Sequence, residues 1–480
     1  MELAKCTQPY FELQIQYDRQ VRCCCYYTGR MEQWDLQSRF DLGRYWNGTA
    51  MRTLRAVVAS GRADNTGCAN CQFLKYVSNP VFQSPPALLD RAQRENWDRA
   101  ATHFHNKDLV LESTPVKYYL NFGLACNLRC VMCSQQDDRP VDHRTLPVEP
   151  LLALKEHLVL ANEIALIGGE PLVMPTARRF IDAVLADPDF ANVQLTLYSN
   201  GSLLHQFLDR LQAMRRVNIV ISLDSVGDAY DYIRRGAHWD KTSQNILDFR
   251  DLAAKKNLPW GINLSGVVMK SSIARLDEYV DWCVQHDLPV HFVPVSNQHF
   301  TQDENVFHYP ALLRDIPGWE GIFDRAIAQL EAKGWIAAGA HPLAVMKVQL
   351  QTAWDAVKGH FPPTAVAVAP AGGNLPPVAE AQEPAEDFTP LRARLGRMLA
   401  LRGPISEQDL HAANLALAQI VESADQASYI EQHRSTLPAA LGPLLMLHVA
   451  SAWADADTGL ASALEIVHCH LVQPPAPATA

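Results

Sequence analysis

Three cysteines in one short segment are the feature of this sequence with the clearest chemical meaning. Cys126, Cys130 and Cys133 have the spacing CxxxCxxC and directly follow a β-rich run. Three thiolates on one loop can hold three irons of a 4Fe–4S cluster, because cysteine sulfur normally fixes such clusters. Three ligands leave one position open, and an open position lets a metal site bind a substrate. The spacing also fits a three-cysteine zinc site completed by a nearby histidine.

A second set of cysteines lies near the amino terminus. The sequence has 11 cysteines, and nine of them fall within the first 133 residues. Clustered cysteines in a reducing compartment point to metal ligation or redox chemistry rather than to disulfides. We therefore predict a second metal site, with a four-cysteine structural zinc site as the alternative to an iron–sulfur cluster. Its candidate ligands are Cys6, Cys23, Cys24, Cys68 and Cys71.

Bulk composition narrows the class of protein. The 480 residues carry a net charge of −10, which disfavours nucleic acids and anionic membranes as partners. No apolar run reaches the roughly 18 residues of a membrane helix. The amino terminus also lacks the charged and apolar regions of a signal peptide. A cytoplasmic location is therefore expected.

The elements that must position the central cysteines alternate between strands and amphipathic helices. Such alternation predicts parallel βα units, and six units form a partial barrel rather than the complete barrel of eight. The cysteine loop follows the first strand, at the end of the barrel where active sites are built. The predicted strands are 117–123, 163–168, 193–199, 217–223, 260–268 and 289–295.

Several motifs follow the cysteine loop in a fixed order. They are Gly168-Gly169-Glu170-Pro171, Tyr198-Ser199-Asn200-Gly201, Ser222-Leu223-Asp224-Ser225, Arg234-Arg235-Gly236 and Asn245. Together with CNLRCVMC, this series resembles the radical S-adenosylmethionine (radical SAM) superfamily over about residues 115–296. One departure is Met132, where many members carry an aromatic residue.

The resemblance implies a reaction and a set of cofactor contacts. Members chelate S-adenosylmethionine on the open iron and cleave it reductively to a 5′-deoxyadenosyl radical, which abstracts hydrogen from a substrate. An electron donor such as flavodoxin or ferredoxin would be a partner. The implied contacts are Gly168 and Gly169 beside the methionyl group, Glu170 on its ammonium, Arg235 on its carboxylate, Ser222 or Asp224 on the ribose, and Asn200.

The amino-terminal cysteines resemble half of a SPASM domain, the twitch type. That resemblance implies one auxiliary 4Fe–4S cluster, and therefore two clusters in the chain. Its expected ligands are Cys6, Cys24, Cys68 and Cys71, with Cys23 possible in place of Cys24. Most family members carry this unit after the barrel, whereas here it precedes the barrel.

The substrate has three readings at this stage. A peptide or protein substrate is favoured, and the alternative is a sugar-like alcohol that the enzyme oxidises as a dehydrogenase. A protein of a different functional class, a non-catalytic cysteine-rich metal-binding scaffold, is the remaining hypothesis. No catalytic base is identified. The predicted division is an auxiliary domain at 1–80, a connector at 81–114, the barrel at 115–297, a helical extension at 298–360, a Pro/Ala-rich linker at 361–390, a helical domain at 391–472 and a disordered tail at 473–480.

Overall fold

The structure is a computed structural model that describes the larger part of the chain. The described residues are 6–24, 27, 32–35, 39–61, 68, 86–133, 135, 143–295, 303–335 and 342–358. The chain divides into two compact units, residues 1–308 with 312–351, and residues 309–311 with 352–480. The predictions for 361–390, 391–472 and 473–480, and the candidate ligand Cys71, lie outside the described residues.

A single sheet of nine strands organises the first unit. Its order is β3-β2-β1-β4-β5-β6-β7-β8-β9, and β4 to β9 are all parallel. These six strands confirm the predicted partial barrel, since β3 and β9 form the two edges of the described sheet. The strands are β1 Glu12–Ile15, β2 Gln20–Arg22, β3 Glu32–Gln33, β4 Lys117–Asn121, β5 Glu163–Ile167, β6 Gln194–Ser199, β7 Arg216–Ser222, β8 Gly261–Val268 and β9 Val290–Pro294.

The amino-terminal segment extends this sheet. β1 pairs in parallel with β4 from Glu12 opposite Lys117 to Ile15 opposite Leu120, and β2 then pairs antiparallel with β1. Burial of Leu13 and Ile15 favours this pairing, because both side chains leave water completely. The sequence interpretation treated 1–80 as a unit separate from the barrel, whereas its described strands are continuous with the barrel sheet. Whether this segment carries an auxiliary cluster stays a prediction.

Helices connect the strands and cover one face of the sheet. The helix Thr49–Ser60 begins directly after Gly48 and is capped by Gly61, whose φ of 71° suits glycine. None of the helices in the described ranges is both long and apolar enough to cross a membrane. The α-helices are α1 Gln8–Phe11, α2 Leu42–Trp46, α3 Thr49–Ser60, α4 Arg91–Asn106, α5 Val148–Leu152, α6 Lys155–Leu158, α7 Pro175–Ala186, α8 Leu208–Leu211, α9 Gly227–Ile233, α10 Trp239–Lys255, α11 Lys270–Ile273, α12 Leu276–Gln285, α13 Trp319–Ala332 and α14 Pro342–Val357.

The two faces of the sheet differ in chemistry. The outer face is apolar and packs on the helices, as the Phe122–Phe180 ring contact to α7 illustrates. The inner face is polar, although barrel interiors are usually filled by branched apolar side chains. It carries Gln14, Tyr119, Thr196, Tyr198, Asn218, Asn263, Ser222, Ser265 and His291. A polar inner face is suited to a polar ligand.

Arg55 on α3 ties the amino-terminal segment together. Its guanidinium is fully buried and donates to the carbonyl oxygens of Pro9, Trp46 and Leu109 and to Oδ1 of Asn47, at 2.8–3.1 Å. Burial lowers the pKa of Arg55 to about 10, so the side chain stays charged at neutral pH. One buried cation thus satisfies acceptors from three separate stretches of chain.

Candidate metal centre

The loop after β4 presents the three central cysteines at the carboxyl end of the parallel strands. Its backbone is held by the segment that ends α9, since the Arg129 amide donates to the Arg235 carbonyl at 2.9 Å and the Val131 amide to the Ile233 carbonyl at 2.9 Å. Within the loop, the Cys133 amide donates to the Cys130 carbonyl at 3.1 Å. The cysteine loop and the Arg-Arg-Gly motif are therefore neighbours, although about 100 residues separate them in sequence.

Cys126 receives hydrogen bonds at its sulfur. The Leu128 amide lies 3.4 Å from its Sγ, and the side-chain amide of Asn200 lies 3.8 Å from it. Asn200 also donates to Oδ1 of Asn127 at 3.0 Å. Asn245, a residue of the motif series, donates to the carbonyl oxygens of Gly201 and Ser202 and so fixes the turn after β6. Donors aimed at a sulfur stabilise its thiolate form, the form that binds metal.

Cys130 contacts a buried ion pair. Nη1 of Arg234 lies 3.5 Å from the Cys130 Sγ, and Nε of Arg234 lies 2.6 Å from Oδ2 of Asp224. The other oxygen of Asp224 accepts from the Val267 amide at 2.9 Å. Burial raises the pKa of the Cys130 thiol, and Arg234 opposes that effect. Burial alone would lower the pKa of Arg234, but Asp224 and then Cys130 raise it, so the guanidinium is charged.

The Gly-Gly motif brings the end of β5 against the cysteine loop. The Gly169 amide donates to the Gly123 carbonyl at 3.0 Å, and the Glu170 amide donates to the Ala125 carbonyl at 2.8 Å. A Cβ on Gly169 would lie 2.2 Å from the Ala125 carbonyl oxygen. The sequence predicted that these glycines admit the methionyl group closely. The structure describes a close approach of Gly169 to the backbone immediately before Cys126, and the methionyl contact stays a prediction.

Glu170 lies inside the protein and binds three protein donors. Its carboxylate accepts from the Leu172 amide at 3.1 Å, the Ser199 hydroxyl at 2.9 Å and the Asn200 amide at 2.7 Å. Burial raises the pKa of Glu170, and these hydrogen bonds oppose the rise. This geometry differs from the predicted contact with the methionyl ammonium, because both carboxylate oxygens already link β5 to the turn after β6.

The remaining predicted contacts fall into two groups. Asp224 is buried and holds Arg234, so its geometry departs from the predicted ribose contact. Ser222 ends β7 on the inner face, opposite Ser265 of β8. Arg235 is exposed and places its guanidinium 5.5 Å from the centroid of the Tyr232 ring. Ser222 and Arg235 are thus both at least partly accessible to solvent.

Sequence reasoning gave no function to Arg234. Arg234 belongs to the Arg-Arg-Gly motif, but a cofactor contact was predicted only for the neighbouring Arg235. The spacing could have indicated this, since Arg234 directly follows α9 and comes four residues after the buried Tyr230. Arg234 is 9% exposed, which is rare for arginine unless it is paired.

A zinc ion and an iron–sulfur cluster would place different demands on the three cysteines of the barrel loop. Zinc needs all its ligands at about 2.0–2.3 Å from one centre. Among the described residues, no group of three His, Cys, Asp or Glu side chains is gathered in this way. A cluster makes a different demand, because each cysteine binds its own iron. The three thiolates of the barrel loop would hold such a cluster.

The amino-terminal cysteines are partly described. Cys23 is 1% exposed, and burial raises the pKa of its thiol, with further increases from Cys6 and Cys68. Cys6 and Cys68, two of the predicted ligands, thus act electrostatically on the Cys23 thiol.

Comparison with known proteins agrees with the geometry of the barrel loop. Residues 120–267 match the family model of the radical SAM superfamily. The segment that carries the cysteine loop is therefore similar to radical SAM domains. The superfamily implies a 4Fe–4S cluster and S-adenosylmethionine as cofactors, with Cys126, Cys130 and Cys133 as the residues that would hold the cluster. The matched segment runs from within β4 to within β8 and includes the cysteine loop.

Several curated relatives are named GTP 3′,8-cyclase. That of Peptoclostridium acidaminophilum is 26% identical over 232 residues, which cover 45% of this chain and 69% of the relative. That of Chlorobaculum tepidum is 28% identical, covering 36% of this chain and 51% of the relative. That of Mesorhizobium japonicum is 30% identical, covering 33% and 47% respectively. The chain thus spans only about half the length of the last two.

Solved structures of radical SAM enzymes are also similar to this chain. Streptococcus suis SuiB bound to S-adenosylmethionine is 15% identical with a TM-score of 0.34, covering 67% of this chain and 68% of SuiB. The enzyme anSMEcpe with bound AdoMet and the Cp18Cys peptide is 18% identical with a TM-score of 0.31, covering 44% of this chain and 59% of that enzyme.

Proposed function

We propose that this protein reductively cleaves S-adenosylmethionine and uses the resulting radical to abstract hydrogen from a substrate. One electron and S-adenosylmethionine give methionine and a 5′-deoxyadenosyl radical. The radical then takes a hydrogen atom from the substrate, which leaves 5′-deoxyadenosine and a substrate radical. The observation that carries this proposal is the loop of Cys126, Cys130 and Cys133, whose first two sulfurs each accept a side-chain hydrogen bond.

The bound cluster would supply an open iron for the methionyl group and the electron for cleavage. The chain's own residues hold and orient the reactants. Asn200 and Arg234 donate to the ligand sulfurs, while Gly169 and Glu170 lock the loop against β5 and β6. In this proposal Arg235 forms an ion pair with the methionyl carboxylate, and Ser222 contacts the ribose.

The amino-terminal cysteines form the second part of the proposal. Cys6, Cys23, Cys68 and Cys71 would hold an auxiliary 4Fe–4S cluster. The burial of Cys23 and the electrostatic effect of Cys6 and Cys68 on its thiol support this set. Four cysteine ligands leave no open iron, so this cluster would act in electron transfer or in structure.

The polar inner face supports a substrate rich in hydrogen-bonding groups. The Asn263 side-chain amide donates to Oδ1 of Asn218 at 3.0 Å, and the Ser265 hydroxyl lies 3.4 Å from Nε2 of His291. These groups can bind the amides of a peptide or the hydroxyls of a sugar. We retain a peptide or protein as the first candidate substrate, on the resemblance to the SPASM type.

A purine nucleotide is the second candidate. The observation that favours it is the name GTP 3′,8-cyclase, shared by several relatives of 26–30% identity. That identity covers at most 45% of this chain in these three relatives, so it bears on the barrel more than on the rest.

Anaerobic reconstitution with iron and sulfide tests the reaction. With dithionite and S-adenosylmethionine, the protein should form 5′-deoxyadenosine and methionine in equal amounts. Complete absence of 5′-deoxyadenosine, with titanium(III) citrate as a second reductant, would leave the scaffold reading instead. Addition of GTP deuterated on its ribose separates the substrates, because transfer of deuterium into 5′-deoxyadenosine identifies the nucleotide as the hydrogen donor.

A further inference from the structure

A buried guanidinium lies directly against one of the three central cysteines. The Arg234 side chain is 11% exposed, and its Nη1 donates to the Cys130 Sγ at 3.5 Å. Two elements hold this contact in place. The Val131 amide binds the Ile233 carbonyl, next to Arg234 in the chain, and the Asp224 carboxylate binds Nε of Arg234 at 2.6 Å. The charge therefore has a fixed position relative to the sulfur.

Asp224 is fixed as firmly as the arginine. Its side chain is completely buried, and its second oxygen accepts from the Val267 amide on β8 at 2.9 Å. A buried arginine without a partner would be strongly destabilising, so the carboxylate is what allows a cation to stay there. The carboxylate contacts Arg234 on Nε, whereas the sulfur contacts Nη1, so the cation lies between the sulfur and the anion.

We propose that Arg234 is a positioning residue that sets the reduction equilibrium of the barrel cluster through Cys130, and that Asp224 opposes its effect. The inference rests on the proposed function, because it takes Cys130 to hold an iron. Hydrogen bonds to ligand sulfurs and the charge around a cluster are the main protein controls on its potential.

The two charges act with opposite signs. Reduction adds one electron to the cluster and its thiolates, and no proton leaves Arg234. A cation bonded to Cys130 stabilises the added negative charge, so Arg234 makes reduction easier. The Asp224 carboxylate repels that charge and makes reduction harder. Because a low-dielectric interior screens charges weakly, both effects should be measurable.

The experiment is a redox titration of the reconstituted full chain, followed by electron paramagnetic resonance without S-adenosylmethionine. The barrel cluster is identified beforehand as the signal whose shape changes when S-adenosylmethionine is added. Arg234→Gln should make reduction at least about tenfold less favourable, which for one electron is about 59 mV. Asp224→Asn should shift the equilibrium about as far in the opposite direction.

Two further variants guard against a merely structural effect. The double variant Arg234→Gln with Asp224→Asn removes both charges and leaves neither partner buried alone, and its potential should fall between those of the single variants. Arg216→Gln is the control, because it also removes a buried arginine. Arg216 binds Asn162 and begins β7, at the end of the strand away from Asp224, so this variant should keep the wild-type potential.

The outcomes separate the two proposals. If wild type gives no signal that responds to S-adenosylmethionine, the proposed function itself is wrong. If that signal is present but the two single variants share the wild-type potential, the inference about Arg234 is overturned. It is equally overturned if both single variants move the potential in the same direction.

Discussion

Replacing Gly169 by alanine adds one methyl group at the point where β5 meets the cysteine loop. The new Cβ would lie 2.2 Å from the Ala125 carbonyl oxygen and 2.4 Å from the Leu124 carbonyl oxygen, whereas real Cβ contacts essentially never fall below 3.0 Å. Both atoms belong to backbone, so no side chain can turn aside. The loop itself must move, and Cys126 is the next residue along it.

The magnitude follows from the kind of atom that is displaced. Inserting a methyl group into a well-packed site typically costs about 1–3 kcal/mol of unfolding free energy. The shift should also break the Gly169–Gly123 and Glu170–Ala125 hydrogen bonds, each worth about 1 kcal/mol. We expect Gly169→Ala to lower the free energy of unfolding by about 3–5 kcal/mol, and to abolish formation of 5′-deoxyadenosine.

Urea unfolding and the cleavage assay on the same preparation measure both effects. Gly321→Ala is the matched control, because Gly321 lies in α13 and its added Cβ would meet only the flexible end of Arg325, at 3.4 Å. Alanine is the better helix former, so this control should gain up to about 1 kcal/mol and keep its activity. Wild-type stability and cleavage in Gly169→Ala would refute the reasoning.

Two other substitutions test the amino-terminal segment. Arg55→Gln should lower the free energy of unfolding by about 3 kcal/mol, because it removes the donors of several buried acceptors. Arg52→Gln, on the exposed side of α3, is the control and should change the free energy of unfolding by less than about 0.5 kcal/mol. Equal urea midpoints for the two variants would contradict this prediction. Cys23→Ala should lower the iron content of the reconstituted chain by one cluster, which is about four irons, while Cys24→Ala should leave it unchanged. The reverse result would identify Cys24 as the ligand.

Local patterns in the sequence were enough to predict the barrel. The parallel strands are short β-rich runs, most of them separated by amphipathic helices, and all six were predicted within a few residues of their observed bounds. The cysteine loop was placed correctly for the same reason, since it directly follows the first of these strands. Such features depend only on residues close together in the chain.

Long-range pairing and side-chain direction could not be predicted in this way. β1 has four residues and pairs with a strand more than 100 residues later, and nothing in its own sequence specifies that partner. Glu170 and Asp224 were expected to face a cofactor, but their carboxylates bind neighbouring elements of the fold. A polar residue at the end of a strand can point either way, and only the partners brought by the tertiary structure decide.

The central claim is that Cys126, Cys130 and Cys133 hold the cluster that cleaves S-adenosylmethionine. Its most direct test is the combined iron content and 5′-deoxyadenosine yield of the variant with all three changed to alanine. Cys283→Ala is the control, because Cys283 is buried in α12. The triple variant should lose about four irons and all cleavage, while the control keeps both. Cleavage by the triple variant at the wild-type rate would contradict the claim.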